Sequence, residues 1–398
     1  MSGKVTLRFN PVSMYQIKPK NLQGSEDMRF LHLADLHLGW EPSFLGEKAS
    51  QRGRERDGLL ERAVDFALDD RNNIHAVLIA GDLFETHRPS RAVLEPAIRQ
   101  LQRLVRGGLF LLTVPGNHDE ITYGDSVYRL EAGRWPGVLV QRPMPGEVAR
   151  MEHAGRVYAF YGLAYHAGLT RTSPPLADFP RTQADRHIGV LHGTLGGEVG
   201  DRSLPISKEA VAVSGYDCLA LGHLHAHTAR FWGGTLAVYA GASEAKNFFD
   251  PGTGLFVVVN LAESPTVSTY TAGCRPCLTQ QVDLSLCQDE AEVVATIQSL
   301  ANQQAMFKVV LKGPTSFRVD VEKIQAQCAP LFYHLQINSD SVYIEFELLS
   351  RLAEEPTIHG YFIKNLLARL EETTDDEQRE IVRRALLRGA DSLAGGGH

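Results

Sequence analysis

The chain has 398 residues, of which 43% are hydrophobic and 22% charged, and its formal net charge is −7. This is the balance of an ordinary soluble globular protein, long enough for two or three domains with substantial cores. It excludes a chain-wide basic field for nucleic acid, and no apolar run reaches the ~18 residues of a membrane span.

Residues 1–27 are polar and mixed, without the apolar stretch of a secretory signal. They read either as a tail ahead of the first core strand or as carrying a short extra strand at 5–9. The five cysteines, Cys218, Cys274, Cys277, Cys287 and Cys328, are odd in number and irregularly spaced. That pattern predicts free thiols and a cytoplasmic location. Cys274 and Cys277 form a lone C-x-x-C, which reads as structural.

An apolar strand is predicted at 28–34, ending on Asp35-Leu36-His37. A charged loop follows over 44–56. Residues 56–70 carry Leu59, Leu60, Ala63, Val64, Ala67 and Leu68 at helical spacing. The run at 76–80 is wholly apolar, the type buried on both faces, and stops at Gly81-Asp82. Ser90 reads as the N-cap of a helix that ends at Gly107-Gly108. The next strand, 109–114, runs into Pro115-Gly116-Asn117-His118-Asp119. Strand, helix, strand, helix, strand is the order of parallel crossovers with helices outside the sheet.

Further strands are predicted at 157–160, 188–191, 218–221 and 236–239. The second of these ends at His192-Gly193 and the third at Gly222-His223-Leu224-His225. A short helix at 207–213 and a hairpin of 254–260 with 266–271 complete an α/β domain over 28–273. Residues 274–349 read as a small α+β capping domain, with strands at 282–284, 308–311 and 342–346 and helices at 290–304 and 321–327. Residues 350–398 read as a helical C-terminal region, with amphipathic helices near 357–372 and 375–387.

Five apolar runs thus stop at metal-binding side chains. In parallel α/β sheets ligands gather beyond the carboxyl ends of the strands, and residues two apart in extended chain point the same way. Two carboxylates, one amide and four imidazoles are thereby expected on one sheet edge. Such a set can hold two divalent metals about 3.5–4 Å apart, which polarise phosphoryl oxygens and activate water. The absence of thiolate favours Mn²⁺, Mg²⁺ or Fe²⁺ over structural zinc.

Asp-x-His, Gly-Asp-x-Phe, Gly-Asn-His-Asp, His-Gly and Gly-His-x-His, in this order, resemble the calcineurin-like metallophosphoesterases over about residues 28–260. The stretches Phe30–Gly39 and Gly81-Asp82-Leu83-Phe84…Arg88-Pro89-Ser90 are similar to the SbcD/YhaO-type DNA repair exonucleases. The resemblance implies a four-layer sandwich of two mixed sheets flanked by helices. It implies that Asp35, His37 and His225 hold one metal, that Asn117, His192 and His223 hold the other, and that Asp82 bridges them, with Mn²⁺ the first expectation. His118 would face the scissile phosphate and protonate the leaving oxygen. Asp119 would shape its turn.

The chain departs from the nuclease pattern at Glu85, where such proteins often carry His. Glu85 reads either as the partner of His118 or as a solvated loop carboxylate. Arg52, Arg54, Arg56, Arg88 and Arg91 are candidates to hold a substrate backbone, with Arg88 the first choice. Three functions are weighed: a DNA exo- or endonuclease, a small-molecule phosphodiesterase, and a nuclease subunit that docks an SbcC-like coiled-coil ATPase through its C-terminal helices. Those helices read equally well as packing on the chain's own capping domain. DNA is the expected partner, no membrane is expected, and a homodimer stays open.

Overall fold

The computed structural model describes residues 14–15, 27–167, 175–196, 203–250, 254–317, 319–344 and 346–394. The strand considered at 5–9 lies outside them. The chain divides into two compact units, 1–274 and 275–398.

The first unit is built on two mixed sheets. One runs in the order Thr266–Thr271, Leu255–Leu261, Met28–Leu33, Ala76–Ala80, Phe110–Val114, Val138–Leu139. Its central strands are parallel, and Ala76–Ala80 and Phe110–Val114 are buried along their whole length, as continuous apolar runs demand. The helices Leu59–Leu68 and Arg91–Arg106 cover it with the faces predicted from their spacing, burying Leu60, Val64 and Ala67 from one and Leu94, Ile98 and Leu101 from the other.

The second sheet runs Met14–Tyr15, Gly146–His153, Arg156–Gly162, Arg186–His192, Cys218–Gly222, Thr235–Tyr239, Thr228–Trp232. Strands 156–162, 186–192, 218–222 and 235–239 run parallel to one another, and Gly146–His153 and Thr228–Trp232 pair antiparallel with the outer two. Side chains of both sheets, among them Leu78, Leu112, Phe160, Ile188, Val190 and Ala220, share one core with the two helices. Each such buried side chain contributes roughly 1.5–3 kcal/mol. The helix Lys208–Val213 packs Val211 against Leu219, Leu221 and Tyr239 on the far face of the second sheet.

The sheets approach closely at glycines. A Cβ at Gly222 would fall on the Ala80 carbonyl oxygen and lie 2.9 Å from the Ala34 Cβ. A Cβ at Gly81, where φ is +87°, would enter the His192 ring. These absences of side chain let the carboxyl ends of strands from both sheets converge.

In the second unit, Cys277–Asp283, Asn302–Thr315 and Phe332–Ile344 form a parallel three-stranded sheet in that order. The helices Glu290–Ser299 and Val321–Cys328 pack Val293, Ile297 and Ile324 on it. The strands are longer than predicted, since polar residues at their exposed ends mask the pattern. The strand read at 342–346 ends instead at Ile344, and a helix, Phe346–Ala353, begins where Phe346, Leu349 and Leu352 take up a three-residue spacing. With Ile358–Glu372 and Asp376–Ala394 it encloses Leu349, Leu352, Ile363, Leu386 and Ala390. Among the described residues no helix is long and apolar enough to cross a membrane.

The Gly222 contact is testable. Gly222→Ala should lower unfolding free energy in denaturant by ~1–3 kcal/mol through overpacking. Unchanged stability would mean that the sheets do not approach as closely as the structure has them.

Candidate metal centre

The candidate ligands other than His192, which closes the strand Arg186–His192, follow apolar strands whose backbone must leave the sheet abruptly. The turn is made by left-handed backbone. Among the described residues six non-glycine positions have positive φ, and four are Asp35 (54°), His37 (49°), Asp82 (51°) and His223 (98°). Such conformations cost on the order of 1–3 kcal/mol each and persist only where surroundings enforce them. Here backbone hydrogen bonds do so. Asp35 N donates to Gly81 O at 3.2 Å, His37 N to Asp82 O at 3.0 Å and Leu38 N to Leu83 O at 2.9 Å.

The two carboxylates are themselves tied across loops. Both oxygens of Asp35 accept from His223 N at 3.1 Å, and Asp82 Oδ1 accepts from His118 N at 2.9 Å. Asp119 is fully buried and holds the Gly116-to-Asp119 turn. It accepts from Gly116 N at 2.7 Å, Phe84 N at 3.0 Å and Tyr128 Oη at 2.7 Å.

Asp35, His37, Asp82 and His192 are buried. Ligand atoms of Asp35, His37 and His225 lie within 4.8 Å of one another, as do those of Asp35, Asp82 and His192, and those of His37, Asp82 and His118. His192 Nε2 is 2.8 Å and His223 Nδ1 3.0 Å from Asn117 Oδ1, and His192 Nε2 is 3.4 Å from Asp82 Oδ2. The structure therefore brings together all seven side chains expected to carry metal.

Their donor atoms face one another in a way that calls for positive charge. His37 Nε2 and His225 Nε2 are 3.2 Å apart. Their Nδ1 atoms lie 2.9 Å from Glu85 Oε2 and 2.8 Å from Asp250 Oδ2. His225 Nδ1 hydrogen-bonds Asp250 and His37 Nδ1 lies at ion-pair distance from Glu85, and with a proton on each Nδ1 two Nε2 lone pairs face each other. A shared cation or proton makes that arrangement favourable. The residues thus fit a metal pair on donor chemistry and on geometry.

A family model described as calcineurin-like phosphoesterase matches residues 28–227. The chain belongs to this family. It is similar to the uncharacterized metallophosphoesterase YhaO of Bacillus subtilis (strain 168), 30% identical over 243 residues, covering 59% of this chain and 58% of that protein. It is similar to the DNA double-strand break repair protein Mre11 of Haloferax volcanii, 27% identical over 289 residues, 72% of this chain and 61% of that protein. The Mre11 protein of Aeropyrum pernix is 27% identical over 271 residues, 64% of each. The chain spans less than two thirds of the length of each of these relatives.

The family region contains every candidate site residue singled out in the sequence and stops short of two that matter. Lys246 and Asp250 lie in the loop after Thr235–Tyr239, a strand that ends without any ligand-type residue and so gave no signal. Asp250 meets His225, and Lys246 Nζ is 2.7 Å from Glu85 Oε2.

Glu85, read either as the partner of His118 or as a solvated loop carboxylate, is partly buried and shared, with His118 the most distant of its three partners. Its carboxylate goes to His37 and Lys246, while His118 Nδ1 lies 3.2 Å from the Glu85 carbonyl oxygen and 3.8 Å from Oε1. The sequence offset could not reveal that the buried His37 is the nearer imidazole.

Arg52 and Arg56 also depart from expectation. Both are buried, Arg52 paired with Glu244 and Arg56 bonded to the Leu36 and Glu244 carbonyls, so neither is available to substrate. Arg54 and Arg91 are exposed. Arg88 is exposed and pairs with Asp125 at 3.3 Å.

Burial lifts Asp35 to about 6, against the pull of His192. Burial would also raise Asp82, but His192 and His37 outweigh it and hold that carboxyl below the usual range. His192 is the converse. Burial would lower it, and the Asp82 carboxylate outweighs this and raises it to about 9. Burial drops His37 and His223 to about 4. For Glu85, bonds from His37 and Lys246 overcome burial and bring it to about 2.

His192 is protonated below about 9, so at pH 7 a cation reaching Nε2 must displace a proton. Divalent-metal affinity should therefore rise as pH increases from 7 toward 9, with proton release. Calorimetric titration at pH 7 in Pipes and in Tris should give different apparent enthalpies. Equal enthalpies in the two buffers would contradict a protonated His192.

Proposed function

We propose that this phosphoesterase is a metal-dependent DNA nuclease that acts in DNA repair. The observation that carries the reading is the convergence of seven oxygen and imidazole donors, with His118 against them, in a chain whose similarity to Mre11 proteins extends over 72% of its length.

In this reading Asp35, His37 and His225 hold one cation, Asn117, His192 and His223 hold the other, and Asp82 serves both. Oxygen and imidazole without thiolate suit Mn²⁺ first, and Mg²⁺ or Fe²⁺ next. Bound there, the metals supply Lewis-acid stabilisation of phosphoryl charge and a more acidic water. His118 delivers a proton to the leaving oxygen. Its backbone is fixed by Asp82 and its Nδ1 by the Glu85 carbonyl, which leaves Nε2 for the substrate. Arg88, at the surface, exchanges Asp125 for a substrate phosphate, a stronger partner when two guanidinium nitrogens engage.

An SbcC-like ATPase is the protein partner this reading favours. The helices Ile358–Glu372 and Asp376–Ala394 leave Ile358, Tyr361 and Ile381 exposed as anchors for it. A small phosphodiester is the second substrate reading, favoured by the net charge of −7, which offers no general attraction to DNA.

With Mn²⁺, the protein should cleave linear duplex or single-stranded DNA as well as bis-p-nitrophenyl phosphate. Asp82→Asn should abolish both activities, and His118→Ala should slow cleavage by ~10²–10⁴-fold. Turnover of cyclic nucleotides and the nitrophenyl ester with DNA left intact would replace the nuclease by the small-molecule enzyme.

A further inference from the structure

The two halves of the cluster are held differently. In one half both imidazoles are backed by carboxylates, with His37 Nδ1 2.9 Å from Glu85 Oε2 and His225 Nδ1 2.8 Å from Asp250 Oδ2. In the other, His192 Nδ1 lies 2.9 Å from the Ala80 carbonyl oxygen, and His223 turns its Nδ1 to Asn117 within the cluster. A carboxylate that accepts Nδ1–H fixes the tautomer, orients the ring and makes Nε2 a more basic donor, more so than a neutral carbonyl does.

One residue holds both backing carboxylates. Lys246 Nζ is 2.7 Å from Glu85 Oε2, and the Lys246 backbone N donates to Asp250 Oδ2 at 3.1 Å. Two residues earlier, Glu244 is buried and ion-paired with Arg52, and its carbonyl accepts from Arg56 Nη2 at 2.8 Å. The Lys246 ammonium also sits 5.5 Å from the Trp40 ring centroid. The segment from Glu244 to Asp250 is thus anchored in the protein at one end and grips the carboxylates behind both rings at the other.

We propose that Lys246, Glu85 and Asp250 are positioning residues that make the Asp35, His37 and His225 half the tighter of two unequal cation sites. This rests on the metal assignment of the proposed function. Lys246 acts twice. Its ammonium orients Glu85 toward His37, and its peptide N–H orients Asp250 toward His225. Loss of either carboxylate loosens the same site and leaves the other as it was.

The test is titration of the full, chelator-stripped chain with Mn²⁺ alone, followed calorimetrically and by the electron paramagnetic resonance of free Mn²⁺. The wild type should take up two ions in two steps of different affinity. His225→Ala should remove the tighter step and His223→Ala the weaker, which assigns them. Asp250→Ala and Glu85→Ala should each weaken the tighter step by ~10–100-fold, with the weaker step unmoved. Lys246→Met should weaken it in the same direction. Asp250→Asn, which keeps a neutral acceptor, should lose less than Asp250→Ala, an order that a merely structural defect would not produce. Thermal melting of the stripped variants verifies the fold. Two ions bound with wild-type affinities in Asp250→Ala, or a shift confined to the weaker step, would overturn this inference alone. A wild-type chain that takes up no pair of ions would overturn it together with the metal assignment.

Discussion

Two acidic side chains, Asp35 and Asp82, are buried where the sheets converge, with ligand atoms within 4.8 Å of each other and of His192. At an effective dielectric of about 20, like charges at such a distance repel by about 3 kcal/mol. Everything else at this edge of the protein is arranged around that repulsion. Backbone N–H groups of His223 and His118 point at the two carboxylates, His192 supplies a proton, and imidazole donors face inward. These devices reduce the repulsion, and a pair of divalent cations would remove it.

The constraint reaches back into the fold. The two carboxylates follow neighbouring strands of one sheet, and His192 and His223, carried by the other sheet, reach them only if the sheets touch, which requires Gly81 and Gly222 to lack side chains. It also requires left-handed turns at Asp35, His37 and Asp82, strained positions that the hydrogen bonds between the first two loops enforce, and at His223, whose N–H the Asp35 carboxylate holds. Buried Asp119, with its three donors, fixes the third loop in the same manner.

Much of this was legible in the sequence because the relevant signals are local. Apolar runs of five residues mark strands buried on both faces, helical spacing marks the covering helices, and a ligand-type residue at the end of a run marks the sheet edge. What was hidden depends on contacts between distant segments. The partner of Glu85 could not be read from its offset to His118, because the buried His37 comes nearer through loop packing. Arg52 and Arg56 sit in a polar, charged stretch that reads as solvated, yet Glu244, 192 and 188 residues away, draws them inside. Lys246 and Asp250 follow a strand with no ligand at its end, so only the folded chain reveals them. In the second unit, strands with polar ends and a helix starting at Phe346 blurred the boundaries.

The central claim is that seven side chains distant in sequence form one cage for a cation pair. Crystals grown with Mn²⁺ and measured at the manganese absorption edge test it most directly. Two anomalous peaks should lie on either side of the Asp82 carboxylate, one among Asp35, His37 and His225 and the other among Asn117, His192 and His223. No peak there, or manganese found only on surface carboxylates, would contradict the account.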